Sequence, residues 1–414
     1  MSRLTRLAVV ASHPVQTQSP WFRALAEAVD LDVFYAHRQD AAGQAAAGFG
    51  QAFDWDVPLL DGYRSRFLEN VAEAPTVETF AGCDTPGVAP ALAHGGFDAC
   101  IVTGWYLKTY VQAIRACWQA RLPVMLRGDS HLGTPRPLLT KAAKYLPYRW
   151  LLPRVDAHLY VGEANREYLR YYGVSEEQLF FVPHFVDNGR FSESAARARS
   201  NGAAGAFRSA INAPADATVF LFAGKLMAHK RAMDFVQALA GLRASGRIVH
   251  GVVVGSGPEE AALRDRAAML GAPVHFAGFR NQSEMPAAYA AADCLVLPSA
   301  SETWGLVVNE AMACGLPAIV SDAAGCAQDL VTPGRTGFVY AAANVPELWE
   351  RMTDVANALE ANPDAFRADV LDRIAQYDAN SAVAGTVAAL GAVLARPDAR
   401  VAREGTPVLS RGPR

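Results

Sequence analysis

Four short stretches in the second half of the chain gather residue types able to hold and cleave a phosphate-bearing ligand. In FAGKLMAHKR (Phe222–Arg231), an apolar run ends at a glycine, and Lys225, Lys230 and Arg231 follow. Cations at that place suit a phosphate. Read alone, they are equally a solvated basic turn. In VVVGSGPEEAAL (Val252–Leu263), Gly255 and Gly257 permit a tight turn, and Pro258 fits a first helical turn. Glu260 takes the third small position of the G-x-G-x-x-G/A fingerprint, which argues against a nicotinamide dinucleotide. A nucleotide could still approach Gly257. In FAGFRNQSEMPAAY, Gly278, Phe279 and Arg280 follow another apolar run, as a surface loop also would.

The fourth stretch, LVLPSASETWGLVVNEAMACGLPAIVSD (Leu295–Asp322), reads as strand, polar loop, helix and strand. The N–H groups of Trp304, Gly305 and Leu306 would be unpaired at the helix start and would favour an anion such as a diphosphate. Glu302 would sit beside that anion. Glu310, two turns into the helix, could accept hydrogen bonds from a ribose diol. The plainer reading makes Glu302 a dipole partner and Glu310 a solvated residue. Val307, Val308, Ala311 and Met312 around Glu310 look buried, and a carboxylate among them needs partners.

These loops need strands to present them. Apolar, β-branched runs alternate with Ala-rich helical spacing through the chain, the mark of parallel sheets covered on both faces. The first half offers strands at Leu7–Ala11, Asp32–Tyr35, Ala99–Thr103, Val124–Arg127, His158–Val161 and Phe180–Val182. The second offers Val219–Ala223, Val249–Gly255, Val274–Phe276, Cys294–Leu297, Ala318–Ser321 and Phe338–Tyr340. Two doubly wound α/β domains result, 1–186 and 218–378, with a small-residue connection, containing some helix, at 187–217. A helix at 379–396 is expected to pack back on the first domain, and 397–414 reads as a frayed tail. In such sheets ligands bind beyond the carboxyl ends of the strands.

In their order and placement, the G-x-G-P loop, the Glu302/Glu310 pair at E-x7-E spacing, EAMACGLPAIVSD, and the basic residues after the first strand glycine resemble glycosyltransferase family 4. The likeness is strongest over about 218–340. It continues weakly through SHPVQ near the start, RGDS at Arg127–Ser130 and VPHFVDNGRF at Val182–Phe191. It implies the GT-B fold, two Rossmann-like domains facing across a cleft. It also implies a retaining transferase whose donor is a nucleoside-diphosphate sugar, working without a metal or other cofactor. By the same resemblance, Glu302 contacts the donor sugar and Glu310 the ribose. The amides of 304–306 hold the diphosphate. Lys225 and Lys230 neutralise the leaving group, and the backbone near Phe279 and Arg280 faces the base. Lys225 stands where the family has Arg, so a point charge replaces a bidentate fork. The first domain would bind a glycan or lipid-linked acceptor, with His13, Gln16 and Asp129 lining the cleft. Either Asp129 or His131 answers to the family's histidine.

From Ser130 to Val155 no acidic residue occurs, while Arg136, Lys141, Lys144, Arg149 and Arg154 alternate with leucines and aromatics. Such a stretch at 136–154 could lie on an anionic bilayer, although Pro147 should interrupt a long helix there. The alternative is a helix packed on its sheet with charges in water. Lys plus Arg total 38 against 41 Asp plus Glu, a net charge of −3, which argues against a nucleic-acid partner. The six cysteines show no CxxC or His/Cys ligand spacing, so reduced thiols in a cytoplasmic protein and no metal site are expected. Neither a signal peptide nor a membrane-spanning helix is expected. The competing functions on this architecture are a nucleotide-sugar epimerase, a phosphorylase and a non-catalytic nucleotide-sugar binding protein.

Overall fold

The computed structural model describes residues 4–396 apart from 46, 47, 49 and 51. The stretch from Pro397, expected to be a tail, lies outside the described residues. The chain folds into two parallel sheets. The first holds β1 (Arg6–Ala11), β2 (Asp30–Tyr35), β3 (Arg64–Phe67), β4 (Ala99–Val102), β5 (Val124–Gly128), β6 (Ala157–Tyr160) and β7 (Leu179–Phe181) in the order β3-β2-β1-β4-β5-β6-β7. The second holds β8 (Thr218–Ala223), β9 (Val249–Val254), β10 (Val274–Gly278), β11 (Cys294–Leu297), β12 (Ala318–Ser321) and β13 (Gly337–Tyr340) in the order β10-β9-β8-β11-β12-β13. Each order reverses direction once, between β1 and β4 and between β8 and β11. Loops leaving those strands splay apart and open a crevice there. In β1 the two faces serve different cores: Leu7, Val9 and Ala11 pack in one, Ala8 and Val10 in the other. That is the two-sided burial that alternating side chains in a covered parallel strand require.

One strand escaped the apolar-run reading. β3 is the charged edge sequence RSRF, and Arg64 pairs with Asp30 and Asp32 of its neighbour β2. The segment 187–217 is more than a connection. It forms helices Asn188–Ser200 and Ala203–Ala210, and Phe191, Ala195 and Ile211 join the second domain's core. Asp187 caps the first helix by accepting from Arg190 N–H at 3.0 Å.

Residues 367–395 are long and apolar enough by composition to cross a membrane, at mean hydropathy 1.3, against the sequence expectation. In the fold they form two helices, Arg367–Ile374 and Ala379–Ala395. The latter returns to the first domain, where Ala382, Ala389, Leu390 and Val393 join Leu7 and Val9. Trp21 Nε1 donates there to Thr386 Oγ1 at 3.3 Å. The chain thus crosses between domains twice, before 188 and near 375–378. The two crossings are tied together by Asn188, whose Nδ2 donates to the carbonyls of Ile374 and Tyr377 at 3.2 and 3.1 Å.

Candidate active site

The second sheet's switch point carries most of the candidate residues, because Lys225 and Lys230 follow β8 while Glu302 and Trp304 follow β11. The β8 and β9 loops nest against each other. A Cβ on Gly255 would stand 1.9 Å from the Gly224 carbonyl oxygen, and one on Gly257 2.6 Å from that of Leu226. Only glycine fits this contact, which clears a floor for a ligand. Across the crevice the Lys230 ammonium pairs with the Glu302 carboxylate, both largely buried. Burial, and then the charge of Lys230, push the Lys225 ammonium below its usual range. The two lysines therefore concentrate positive charge in one place.

Gly305 caps the helix Leu306–Ala313 at φ 105°, a left-handed conformation, with Leu297 only 2.8 Å from where a Cβ would be. The N–H groups of Trp304, Gly305 and Leu306 have no backbone acceptor among the described residues. They remain available to an anion. The Trp304 side chain is not available: it is buried, and its Nε1 donates to Asn309 Oδ1 at 2.8 Å.

Glu310 is buried and held by partners. Tyr289 donates its hydroxyl to Oε2 at 2.6 Å, and Gln282 donates Nε2 to Oε1 at 3.1 Å. Arg190 in turn anchors Gln282, donating to its side-chain oxygen at 2.8 Å and its backbone carbonyl at 3.0 Å. Burial holds the Glu310 carboxyl above the usual carboxylate range, opposed by Tyr289, Gln282 and Arg190. Each oxygen still has a lone pair to offer. Glu310 lines a cavity of about 160 Å³ shared with Gly255, Phe279, Arg280, Gln16 and Trp55. Trp55 belongs to the first domain, whose loop 53–56 reaches over this cavity. Phe53 lies 4.4 Å, centroid to centroid, from Phe279. Asp56 accepts from Ser283, and the Asp54 carbonyl accepts from Asn281 Nδ2 at 2.7 Å.

The first domain meets the site from β5. His131 Nε2 donates to the backbone carbonyl of Glu302 at 3.0 Å. Asp129 lies 3.7 Å from His184 Nε2. Burial raises its carboxyl, but the neighbouring His184 imidazole and Thr303 hydroxyl prevail and hold it below the usual range. Asp129 and His131 both line a cavity of about 680 Å³ in the first domain. His13 stands apart from both cavities, bonded through Nδ1 to Ser12 Oγ at 3.0 Å. Burial and neighbouring His37 lower its pKa to about 4, so it is neutral at physiological pH.

Residues 205–364, which include the whole second sheet, match the family model described as glycosyl transferases group 1. Over that stretch the second domain resembles the group 1 glycosyl transferases. Over the described residues the chain has the GT-B fold. It superposes on Anabaena Alr3699/HepE in complex with UDP and glucose at TM-score 0.66, with 17% identity over 94% of this chain and 99% of that one. It superposes on the α,α-trehalose 6-phosphate synthase of Burkholderia multivorans at TM-score 0.71, with 14% identity over 95% and 99%. A D-inositol 3-phosphate glycosyltransferase of Streptomyces bingchenggensis is 33% identical over 227 residues, 52% of this chain and 47% of that protein. A GDP-mannose-dependent α-mannosyltransferase of Mycobacterium tuberculosis is 43% identical over 118 residues, 28% and 29% of the two chains. The chain spans about half the length of the first of these relatives and less of the second.

Within the GT-B frame, the sequence candidates separate into groups. Glu302, Lys230, Lys225 and the amides at 304–306 face one another across the β8/β11 switch. Glu310, Gly257, Phe279, Arg280 and Gln16 gather at or beside the smaller cavity. Asp129 and His131 both reach the domain junction, and His13 lines neither cavity. Gln282, Tyr289 and Arg190 support Glu310 and were not singled out, although all three lie within stretches quoted above. Loop 53–56 carried no sequence signal beyond its paired aromatics.

Proposed function

We propose that the chain is a retaining glycosyltransferase that moves a sugar from a nucleoside-diphosphate sugar to an acceptor hydroxyl. The observation that carries this reading is the meeting of Lys225, Lys230 and the free amides of 304–306 around Glu302 at the switch point. Breaking the C1–O bond sends its electron pair to the diphosphate and leaves positive charge on the sugar. The lysines and the helix N-terminus stabilise the diphosphate as that charge forms. The acceptor oxygen attacks C1 from the face the leaving group vacates and gives its proton to the departing phosphate oxygen, so configuration is kept. Glu302 would orient the donor sugar, Glu310 the ribose, and Trp55 with Phe279 the base. Asp129 and His131 face the acceptor side. On this account no metal is needed.

Cell-surface glycan or glycolipid assembly fits a lipid-linked acceptor. The helix Leu138–Leu151 runs through Pro147 despite the expected break, the bond lost to proline falling at exposed Ala143. None of its residues is buried. Leu138, Leu139 and Leu146 are 82%, 85% and 74% exposed, beside Arg136, Lys141 and Lys144. Leucines set among cations suit an anionic bilayer on the cytoplasmic side.

The test is incubation with a nucleotide-sugar panel headed by UDP-glucose and GDP-mannose, the donor types named for relatives. Slow release of nucleoside diphosphate, unaffected by EDTA, is expected. Interconversion of sugars would mean an epimerase, phosphate-dependent cleavage a phosphorylase, and binding without turnover a binding protein. Activity abolished by EDTA and restored by Mg²⁺ would overturn the metal-free mechanism.

A further inference from the structure

The larger cavity, about 680 Å³, holds more charge than presentation of a neutral hydroxyl requires. Arg136, Lys141 and Lys144 all line it. None of the three forms an ion pair among the described residues, and the only carboxylates on its wall are Glu78 and Asp129. Asp129 has a nearer basic neighbour in His184, whose Nε2 lies 3.7 Å away. Arg136 and Lys144 lie close enough to oppose one another, since burial and then Arg136 push the Lys144 ammonium below its usual range. They also sit among phenols. Burial raises the hydroxyls of Tyr148 and Tyr172, and the Arg136 guanidinium works against that rise at both.

Arg136 and Lys141 are exposed and Lys144 is partly buried, so water screens their mutual repulsion, yet an anion entering the shared space would gain from all three. Guanidinium, ammonium and phenol groups converging on one space are the donor set for a phosphate, which accepts from all of them. The volume is that of a small-molecule site. Asp129, Ser130 and His131 also line it, and His131 is bonded to the Glu302 backbone. A ligand whose anionic end rests against Arg136 would therefore extend toward the residues that hold the donor sugar.

We propose that the acceptor is a phosphate-bearing molecule whose phosphate is bound by Arg136, Lys141 and Lys144, while a hydroxyl elsewhere on it is turned toward Asp129, His131 and Glu302. This rests on the transferase reading given above and narrows its acceptor class. The phosphate belongs either to a soluble sugar phosphate or to a lipid headgroup at the exposed leucines of the same helix.

The test measures binding by calorimetry with glucose 6-phosphate against glucose, and by vesicle flotation with phosphatidylglycerol against pure phosphatidylcholine. Proteins compared are the wild type, Arg136→Ala/Lys144→Ala and Lys230→Ala. At least tenfold preference for one phosphate probe over its neutral or zwitterionic counterpart is expected. That preference should be lost in the double variant and kept in Lys230→Ala. Preference for glucose 6-phosphate marks a soluble acceptor, and preference for phosphatidylglycerol alone marks a lipid one. No preference for either probe, or a preference that survives the double variant, overturns the proposal. So does a preference lost only in Lys230→Ala, which would place the phosphate on the donor side. Arg136→Lys/Lys144→Arg keeps both charges and should keep the preference, which separates charge from folding. Hydrolysis of the donor panel by wild type is read separately. Its absence strikes the transferase reading, whatever the phosphate probes show.

Discussion

Replacing Glu310 by glutamine should separate stability from donor binding in opposite directions. The carboxylate is buried, receives a hydroxyl at 2.6 Å and an amide at 3.1 Å, and is held above the usual range by burial. A carboxyl raised in the folded state contributes most below its unfolded pKa. That contribution is lost as pH climbs through the raised folded value. At neutral pH the protein therefore carries the cost of an ionised group in a desolvated place. Glutamine keeps the shape and removes the charge. A gain of about 1 kcal/mol would raise the melting temperature by roughly 2–4 °C for a domain of this size. The gap between variant and wild type should widen from about pH 5 toward neutrality, in the direction the linkage requires. Donor affinity should move the other way. A diol donating to a charged acceptor is worth about 1.5–3 kcal/mol, so the dissociation constant of the nucleoside diphosphate should rise roughly 10- to 150-fold. Wild-type affinity should also fall on acidification, as Glu310 takes up its proton, while the variant's stays flat. Calorimetry with UDP and GDP, paired with thermal melts across pH, reads both quantities. A variant that binds within twofold of wild type, or melts several degrees lower at pH 7.5, would refute the ribose assignment or the cost of its charge.

Lys230→Ala should lower turnover at least tenfold, because the leaving diphosphate loses a cation and Glu302 loses its ion-pair partner; steady-state kinetics at saturating donor would show it. Gly257→Ala should weaken nucleoside diphosphate binding and lower the melting temperature. Its φ of 155° and the 2.6 Å approach to the Leu226 carbonyl force the floor of the site to shift, at about 1–3 kcal/mol. Unchanged affinity would show that the loop yields without disturbing the ligand.

What the sequence disclosed follows the range over which each signal acts. Strands such as Val252–Val254 and Cys294–Leu297 are buried on both faces, so their apolar runs stand out in the chain itself. β3 is an edge strand whose arginines find their carboxylates on β2, and nothing within RSRF announces a strand. Glu310 was legible because its own helical neighbours are apolar. Its supports were not, since Tyr289, Gln282 and Arg190 lie 21, 28 and 120 residues away along the chain and meet only in the fold. Loop 53–56 reaches the smaller cavity across the domain boundary, beside Phe279 and Asn281, which its own sequence does not announce. The extent of helix in 188–210 was masked by small polar residues, and packing against the helices Met285–Ala291 and Leu306–Ala313 decides it.

The return of Ala379–Ala395 to the first sheet gives the molecule the architecture of an insertion. One body is assembled from both ends of the chain, and residues 188–377 form a cassette carried within it, with both junctions stapled by Asn188. Exchanging the second domain between relatives should therefore succeed when that whole cassette is transplanted with its two junctions intact. A simple fusion at the midpoint would leave the host's first domain with a foreign closing helix beneath Trp21. Removing the helix Ala379–Ala395 should, for the same reason, damage the first domain first, although it follows the second in the sequence.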